Sequence, residues 1–275
     1  MSQSPMTWEG QWNARVFINQ NAKDCLLPMG ITSENVAKQY NITREDQDSL
    51  AVQSHTKALE AIKTNRFKDE IVPIQITRQQ DGEIKIHVID KDEGPRPNTS
   101  METLAKLKPA FAADGTTTAG NCSQVSDGAA VVILTTRKRA QELNLPILGS
   151  IRSFAVVGVP PSVMGIGPAF AIPKALKLCN LTTEDIDVYE INEAFASQAC
   201  MCVKHLKLDW EKVNPNGGAI ALGHPLGCTG ARQLATLLYE LRRRGQRYGV
   251  VSMCIGSGMG AAGIFEAEDI STASL

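Results

Sequence analysis

The sequence predicts an α/β protein whose second half is a three-layer α/β/α sandwich, preceded by an α-rich region. Three observations support this prediction. The chain has 275 residues, of which 43% are hydrophobic, so it can bury a large core. In its second half, short apolar runs alternate with segments of helical period, an order typical of a sheet covered by helices. Glycine-rich turns follow several of the apolar runs, as expected where strands end.

The α-rich region begins after residues 1–30, which have no sustained hydrophobic period and are expected to be irregular. Over residues 32–67, apolar side chains recur at helical spacing. Thr43 followed by Asp46 resembles the capping box that begins a helix. Two helices joined near Asn41 are therefore expected.

The remaining elements follow from the same periodicities. The alternating segments 71–76 and 84–89 flank the polar residues 79–82 and predict a hairpin. The run at 129–134 is almost entirely apolar, which is typical of a strand covered on both faces. Further strands are predicted at 147–158, 186–191 and 248–254, and helices at 138–143, 168–178, 195–206 and 230–243.

Composition and charge argue against several classes of protein. The 28 Lys and Arg residues nearly balance the 29 Asp and Glu residues, which argues against a surface dedicated to nucleic acid. No apolar stretch is long enough for a membrane span, and the first residues lack a signal-peptide core. Seven cysteines, an odd number, are typical of free thiols in a reducing compartment. We therefore expect a soluble protein with no membrane span and no nucleic-acid partner.

Three motif alternatives fail. Cys200, Cys202 and His205 share one predicted helix without a second pair of ligands, so packing is favoured over metal binding and no metal is expected. The glycines of 258–263 match a dinucleotide-binding pattern, but too few residues follow for the rest of that fold. The loop 218–224 resembles a phosphate-binding loop but lacks the lysine that such a loop needs.

Three glycine-bearing turns are the candidates for chemistry: 192–195, 217–230 and 254–260. Each lies where a predicted strand gives way to a loop or a helix. Ligands usually bind at strand ends in α/β sheets, so one shared site is expected.

His224 lies between Gly223 and Pro225, whose side chains are not bulky, so a ligand can approach the imidazole closely. The N-terminus of the helix predicted nearby disfavours the protonated ring. A neutral histidine can donate a hydrogen bond to a developing oxyanion or exchange a proton near neutral pH. A lone histidine is more often a core or helix-capping residue, and that interpretation stays open.

Cys254 ends a predicted strand and is followed by Gly256, Gly258 and Gly260. Glycines leave backbone N–H groups free to face a ligand, and a thiol beside them can act as nucleophile or base. The alternative is a buried cysteine that packs as a small hydrophobic side chain. Packing alone does not require the glycines, which favours the functional interpretation.

The three turns, taken together with two further segments, closely resemble the thiolases. The turns read NEAF at 192–195, GGAIALGHPLGCTGAR at 217–232 and CIGSGMG at 254–260. The supporting segments are TTTAGNCSQVSDGAA at 116–130 and VGVPPSVMGIGPAFAIPKAL at 157–176. The resemblance covers nearly the whole chain, and each motif is long and rich in unusual residues.

The resemblance implies a fold and a location. The implied fold is a thiolase-like α/β/α sandwich, complete in its C-terminal half, with an α-rich loop domain. On this division residues 1–115 form a partial loop domain, 116–150 the remaining part of the N-terminal half, and 151–275 the C-terminal domain. MGITSENVA at 29–37 resembles the branch of the family that acts on 3-ketoacyl-CoA in peroxisomes, so a peroxisomal location is implied.

The reaction implied by the resemblance is thiolytic cleavage of 3-ketoacyl-CoA into acetyl-CoA and a shortened acyl-CoA, in fatty-acid β-oxidation. Coenzyme A is a substrate there, and no permanently bound cofactor is expected. Cys254 matches the acid/base that handles the α-carbon proton, and His224 matches the histidine that activates the nucleophile and lines an oxyanion hole. Asn192 matches the asparagine that holds a water in that hole, and the backbone of Gly256 would supply a second oxyanion donor.

Four further positions match residues that contact the substrate in the family. Arg96 and Ser123 match contacts to coenzyme A, whereas Met164 and Phe195 match residues near the pantetheine and acyl pocket. The implied partners are therefore acyl-CoA and coenzyme A, together with further copies of the full-length chain in a homo-oligomer.

One departure from the family pattern changes the expected activity. Family members carry the nucleophilic cysteine in a Cys-Ser-Ser-Gly-like turn of the N-terminal half, and this chain contains no such turn. Cys25 matches a non-catalytic position and Cys122 lies in the coenzyme A loop, so neither is taken as the nucleophile. This chain by itself is expected to be inactive. It is either a fragment or truncated isoform of a thiolase, or a short product without turnover that binds coenzyme A or a partner.

Overall fold

A computed structural model describes residues 10–80 and 83–268 of the chain. The predictions that concern residues 1–9, the turn residues 81–82 and residues 269–275 lie outside the described residues. None of the described helices is long and apolar enough to cross a membrane.

The N-terminal region is helical. Its elements are a short 3₁₀ helix (Ala14–Ile18), α1 (Gln20–Asp24), α2 (Met29–Gln39) and α3 (Arg44–Lys63). The two predicted helices are α2 and α3, and the capping box of Thr43 and Asp46 begins α3 as expected. Asn41 joins them with a φ of 53°, the left-handed conformation that asparagine tolerates well. For residues 10–30 the predicted irregular structure is wrong, because side-chain oxygens of Asn13 and Asn19 cap two short helices there.

A two-stranded hairpin and a short helix follow. β1 (Ile74–Gln80) pairs antiparallel with β2 (Glu83–Ile89), which confirms the predicted hairpin, although its first strand lies closer to the turn than expected. α4 (Met101–Ala105) is capped by Ser100, whose hydroxyl accepts a hydrogen bond from the backbone N–H of Thr103.

The second half of the chain forms a four-stranded mixed sheet. Its strands lie in the order β3, β6, β5, β4, and the pair β4–β5 is parallel whereas the other pairs are antiparallel. The elements are α5 (Arg137–Glu142), β3 (Gly149–Gly158), a 3₁₀ helix (Pro161–Ile166), α6 (Gly167–Leu178), β4 (Val188–Ile191), α7 (Ala196–Leu206), a 3₁₀ helix (Trp210–Lys212), α8 (Ala219–Leu222), α9 (Thr229–Arg244), β5 (Tyr248–Ile255) and β6 (Met259–Ala267).

Helices cover both faces of this sheet, which confirms the predicted three-layer sandwich. On one face, α6 packs small and branched side chains against the strands: Ala171, Ile172 and Ala175 lie with Ala155, Val250, Ala262 and Ile264. On the other face, Leu237 and Leu241 of α9 pack against Val188 and Val251. The division into three segments at residues 115 and 150 stays a prediction.

The strand predicted at 129–134 is wrong, because residues 124–136 have no regular structure. Val131, Ile133 and Leu134 are 85%, 82% and 71% exposed, so the run is not covered on both faces as its composition predicts. A strand needs a neighbour with which to exchange backbone hydrogen bonds, and no strand among the described residues pairs with this run. Apolar composition favours a strand here, but composition alone does not supply a partner.

The strand β6 is not predicted by the sequence patterns. It begins Met259-Gly-Ala-Ala-Gly, and small residues have low strand propensity. The small residues are nevertheless needed, because the start of α6 approaches β6 closely at Gly260. A β-carbon built on Gly260 would overlap the backbone of Gly167.

Gly260→Ala is therefore expected to lower the free energy of unfolding by about 3 kcal/mol, since two backbone segments would have to separate. The matched control is Gly158→Ala, where an added β-carbon meets no atom within 4 Å. The control is expected to change the free energy of unfolding by less than about 0.5 kcal/mol. Urea denaturation followed by circular dichroism measures both, and equal values for the two variants would contradict the packing argument.

Candidate active site

The ends of two neighbouring parallel strands bring Asn192 and Cys254 to one edge of the sheet. Ile191, the last residue of β4, lies opposite Ser252 of β5. Asn192 extends this pairing, because its backbone N–H donates a hydrogen bond to the Ser252 carbonyl at 2.9 Å. Cys254 lies further along β5 in the same direction, so the predicted common edge exists for these two residues.

The loop between α8 and α9 brings His224 to Asn192. The imidazole Nε2 lies 3.3 Å from Asn192 Nδ2, and Nδ1 lies 2.7 Å from the hydroxyl of Thr229. The backbone N–H of His224 donates to the Gln124 carbonyl at 3.1 Å. Thr229 is the first residue of α9 and is fully buried. Both ring nitrogens and the backbone of His224 therefore have partners.

The Thr229 hydroxyl can serve either tautomer of His224, because a hydroxyl both donates and accepts. When Nδ1 carries the proton, it donates a hydrogen bond to the Thr229 hydroxyl. The Nε2 lone pair then accepts either a hydrogen bond from the Asn192 amide or, in its place, a proton. When Nε2 carries the proton, Thr229 donates to Nδ1 and the Nε2–H can face an oxyanion. Asn192 Oδ1 is buried without a hydrogen-bond partner among the described residues, so it is also an acceptor within this site.

His224 is neutral at physiological pH. Burial lowers the pKa of its imidazole, and the positive charge of Arg232 lowers this pKa further. The predicted direction is confirmed, with burial and a cation as its causes, and the contribution of the helix N-terminus stays a prediction. Arg232 in turn pairs with the fully buried Glu190 at 3.3 Å, and burial raises the pKa of Glu190 to about 8.

Glu193 connects the loop that carries His224 to the end of β4 and to α3 through hydrogen bonds. Its Oε2 accepts hydrogen bonds from the Ser54 hydroxyl at 2.6 Å and from the Ile220 backbone at 3.2 Å. Its Oε1 accepts one from the Asn214 amide at 2.7 Å. The Gly218 backbone donates to the same Ser54 hydroxyl at 3.0 Å. Burial raises the pKa of Glu193, and these donors oppose that shift. The carboxylate is thus a structural anchor for the loop that carries His224.

Cys254 is a thiol at neutral pH, since burial raises its pKa to about 11. A thiol can deliver a proton to a carbanion, and the thiolate that results can take a proton back. A permanently ionised nucleophile would need a lowered pKa, which this position does not have. The environment of Cys254 therefore favours an acid/base role over that of the attacking thiolate.

The turn between β5 and β6 presents open backbone next to Cys254. Gly258 has a φ of 96°, and a β-carbon there would overlap the Val159 carbonyl, so glycine is required. Nothing lies within 4 Å of a β-carbon placed on Gly256, which leaves space beside its backbone for a ligand. The thiol of Cys25 donates a hydrogen bond to the Ser257 carbonyl at 3.6 Å, so Cys25 contacts this turn through its backbone.

A cavity of about 270 Å³ lies beside this edge. Its polar lining includes Arg96, Asn98, Thr103 and Gln124, and Cys122 and Ile220 are among its other lining residues. Gln124 also contacts the candidate active site, because its carbonyl accepts the His224 backbone hydrogen bond. Gln124 therefore belongs to a wall that the cavity shares with the candidate active site.

None of the three other predicted contacts lines the cavity. Ser123 does not line the cavity; its backbone N–H donates to the Ala194 carbonyl at 3.0 Å, next to Phe195. Phe195 forms a backbone bridge with Cys122 and stacks edge-on with Phe111 at 6.2 Å. Met164 is buried within the 3₁₀ helix that precedes α6 and does not line the cavity.

Sequence reasoning missed two residues of the site. Thr229 precedes the residue at which the last long helix was predicted to begin, and His55 lies on α3, far along the chain from every glycine-rich turn. Only the spatial arrangement brings them to His224 and Arg96. Cys200 and Cys202 are buried packing residues, as expected, and burial raises the pKa of both thiols. The described residues contain no cluster that could hold a metal ion.

Two family models match almost the entire chain. The thiolase N-terminal domain matches residues 1–138, and the thiolase C-terminal domain matches residues 145–267. Together with the geometry above, these matches establish the class: the chain belongs to the thiolase family.

Within that family, the chain is similar to the peroxisomal 3-ketoacyl-CoA thiolases. It is 62% identical over 259 residues to 3-ketoacyl-CoA thiolase B of Rattus norvegicus and 61% identical to the human peroxisomal enzyme. Each alignment covers 94% of this chain and 61% of the relative, so the chain spans about three fifths of the relatives' length.

Solved thiolase structures share the fold. The dimeric peroxisomal thiolase of Saccharomyces cerevisiae is 55% identical with a TM-score of 0.86, over 93% of this chain and 63% of that one. Human mitochondrial 3-ketoacyl-CoA thiolase in complex with CoA is 44% identical with a TM-score of 0.81, over 90% of this chain and 60% of that one.

Proposed function

We propose that this chain carries the acid–base and coenzyme A-binding part of a thiolase that cleaves 3-ketoacyl-CoA into acetyl-CoA and a shortened acyl-CoA. The observation that supports it most is the contact between Asn192 and His224 at the sheet edge that also holds Cys254. The names of the relatives support a place in peroxisomal fatty-acid β-oxidation. The dimeric yeast structure supports a homo-oligomer for the full-length protein.

Each residue takes a role that its environment favours. Cys254 protonates the enolate of acetyl-CoA that forms when the bond between the α- and β-carbons breaks, and its raised pKa suits a proton donor. His224, neutral, takes the proton of a nucleophilic thiol or donates Nε2–H to an oxyanion. Asn192 and the backbone N–H of Gly256 stabilise the developing negative charge by hydrogen bonds, Asn192 through a water molecule. The attacking cysteine of the family is not supplied by these residues.

A second candidate function is the binding of coenzyme A or of a partner without turnover. One observation favours it: the cavity with Arg96 in its wall is formed within these 275 residues, whereas only one thiol, that of Cys254, belongs to the proposed acid–base centre. Met164 and Phe195 would then line the pantetheine and acyl path, and Ser123 would contact coenzyme A, as the family resemblance implies.

Both candidate functions require the chain to bind coenzyme A, so a binding measurement tests them together. The purified chain is expected to bind coenzyme A in calorimetry, and Arg96→Ala is expected to raise the dissociation constant about tenfold, because a charge-assisted contact is lost. Arg139→Ala is the matched control, since Arg139 lies on α5 and pairs with Glu142 outside the cavity. Equal affinity of the Arg96 variant and the wild type would count against Arg96. No binding by the wild type would count against both candidates.

A further inference from the structure

Arg232 is the last residue of the long motif at 217–232 and lies in the first turn of α9, where its side chain pairs with Glu190 of β4. The guanidinium Nη1 lies 3.3 Å from Glu190 Oε2. The next residue of the helix, Gln233, contacts the same strand residue, because its side-chain amide donates a hydrogen bond to the Glu190 carbonyl at 3.1 Å. Glu190 therefore connects the end of β4 to the start of α9 through both its side chain and its backbone.

This ion pair joins the two elements that position Asn192 and His224. Asn192 follows Glu190 by two residues, so both side chains lie on the same face of the strand, the face that α9 covers. Thr229 precedes Arg232 by three residues, so the two are neighbours on the surface of α9, and the Thr229 hydroxyl contacts the His224 ring. The 3.3 Å contact between Asn192 and His224 thus lies about one helical turn from the ion pair.

Stability alone does not account for this ion pair. The Glu190 side chain is fully buried, that of Arg232 is 22% exposed, and Glu190 Oε1 has no hydrogen-bond partner among the described residues. Removing such charges from water often costs more than their mutual attraction contributes, and apolar side chains of similar volume can hold two elements together as well. A guanidinium that donates to a carboxylate fixes a direction, which an apolar contact does not. Orientation is therefore what the pair adds.

Arg232 also brings a positive charge to this part of the molecule. The titratable groups that interact with it are His224, Cys228 just before α9, and three carboxyl groups, those of Glu190 on β4, Glu70 after α3 and Asp92 after β2. Burial raises the pKa of all three carboxyl groups and so opposes their ionisation. Arg232 is the member of this group that is charged at every physiological pH, and its charge disfavours protonation of His224.

We propose that Arg232 is a positioning residue of the candidate active site: paired with Glu190, it holds the start of α9 at the end of β4 and thereby keeps His224 in contact with Asn192. This inference rests on the proposed function, in which His224 and Asn192 act on the same developing charge. Arg232 does not line the cavity, so its role concerns the orientation of the site and not the binding of coenzyme A.

The alternative is that the ion pair only stabilises the fold, and a double variant separates the two roles. Glu190→Leu combined with Arg232→Met replaces the pair by apolar side chains of similar volume, a change that is often neutral or stabilising. Arg232→Gln removes the charge but keeps a donor for Glu190, and it takes the place of the double variant if that protein does not fold. Arg232→Lys is the conservative variant, since it keeps both the charge and a donor. Arg244→Met is the matched control, because Arg244 lies at the far end of α9 and pairs with the buried Glu240.

Nuclear magnetic resonance of the purified chain reports on His224 directly, because the chain has four histidines and the His224 ring signals are those absent from His224→Asn. In the wild type we expect nuclear Overhauser contacts between the Asn192 side-chain amide and the His224 ring. The double variant is expected to lose these contacts, and the pKa of His224 is expected to shift upward because a nearby positive charge is gone. Arg232→Lys and the Arg244 control are expected to keep both the contacts and the pKa.

A kinetic measurement uses the chain supplied with a thiolase segment that contains the Cys-Ser-Ser-Gly-type turn. The double variant is expected to lower kcat by up to about 10²-fold, which a small misplacement of a reacting group can cost, and to leave KM for coenzyme A unchanged. Thermal denaturation of each variant establishes that it is folded at the temperature of the measurement.

Overhauser contacts that persist in the folded double variant would overturn the proposal, because His224 would then keep its place without the ion pair. Restored thiolysis with an unaltered kcat in that variant would also overturn it and leave the proposed function standing. The expected loss of contacts, in a protein whose wild-type form never supports thiolysis once the nucleophilic segment is supplied, would instead contradict the proposed function and leave the positioning role of Arg232 intact.

Discussion

The purified 275-residue chain is expected to show no thiolytic cleavage of a 3-ketoacyl-CoA. Ping-pong acyl transfer needs one thiolate to hold the acyl group while a second group manages the α-carbon proton. Cys254 is a thiol at neutral pH, and burial also raises the pKa of Cys122, so neither provides a ready thiolate. The measurement is the loss of 3-ketoacyl-CoA on addition of coenzyme A, with mass spectrometry of the protein to detect an acyl-enzyme.

Supplying a thiolase segment with a Cys-Ser-Ser-Gly-type turn is expected to restore cleavage. Under the same conditions Cys254→Ala is expected to remain slower by a factor of about 10² to 10⁴, the usual contribution of a positioned acid or base. Cys122→Ala is the matched control and is expected to retain the restored rate. Turnover by the chain alone, through a thioester on Cys122 or Cys25, would refute the assignment of the nucleophile to another segment.

Glu193→Ala is expected to lower the free energy of unfolding by at least about 3 kcal/mol. The substitution removes the acceptor of one Asn214 amide hydrogen, of the Ile220 N–H and of the Ser54 hydroxyl, which keeps only a long contact of 3.4 Å to the Gly218 carbonyl. Each unpaired buried donor costs about 1–3 kcal/mol. Glu193→Gln is expected to be destabilising as well. Both carboxylate oxygens accept hydrogen bonds, so an amide nitrogen in either position would face a donor.

The control for Glu193 is Glu102→Ala on α4, where the side chain is 82% exposed and pairs with Lys106. That substitution is expected to change the free energy of unfolding by less than about 0.5 kcal/mol. Chemical denaturation measures all three variants. A Glu193→Ala protein as stable as the control would mean that water replaces the carboxylate, and the loop that carries His224 would then not depend on Glu193.

The sequence predicted the sandwich because its signals there are local. α9 has an apolar stripe that meets the sheet through Leu237 and Leu241, and this period is visible in a single segment. The strand pairing of β6 is not local. Its small residues fit because α6 approaches at Gly260, and that approach is a property of the assembled layers. The run at 129–134 is the opposite case: a strand was predicted from its composition, but no neighbouring strand is present among the described residues to pair with it.

In the candidate site, too, residues with a local sequence signal were predicted and residues placed by contacts between separate elements were not. His224 and Cys254 stand in glycine-rich turns whose unusual composition marks them in the sequence. No unusual composition surrounds Thr229 or His55, because a threonine at the start of a helix and a histidine within a helix are both common. Their importance lies in which ring nitrogen or backbone amide they face, and these contacts join residues of separate elements. Sequence patterns therefore located the candidate reacting groups but not the residues that contact them.

The exposed run at 129–134 also affects how the protein behaves in concentrated solution. Val131, Ile133 and Leu134 belong to a short segment of high strand propensity without proline or charge, the composition that favours intermolecular β-sheet. Two molecules that meet through this segment gain the backbone pairing that each lacks alone. Self-association through this segment does not depend on the net charge of the chain, and a single lysine among these residues is expected to act as a gatekeeper against it.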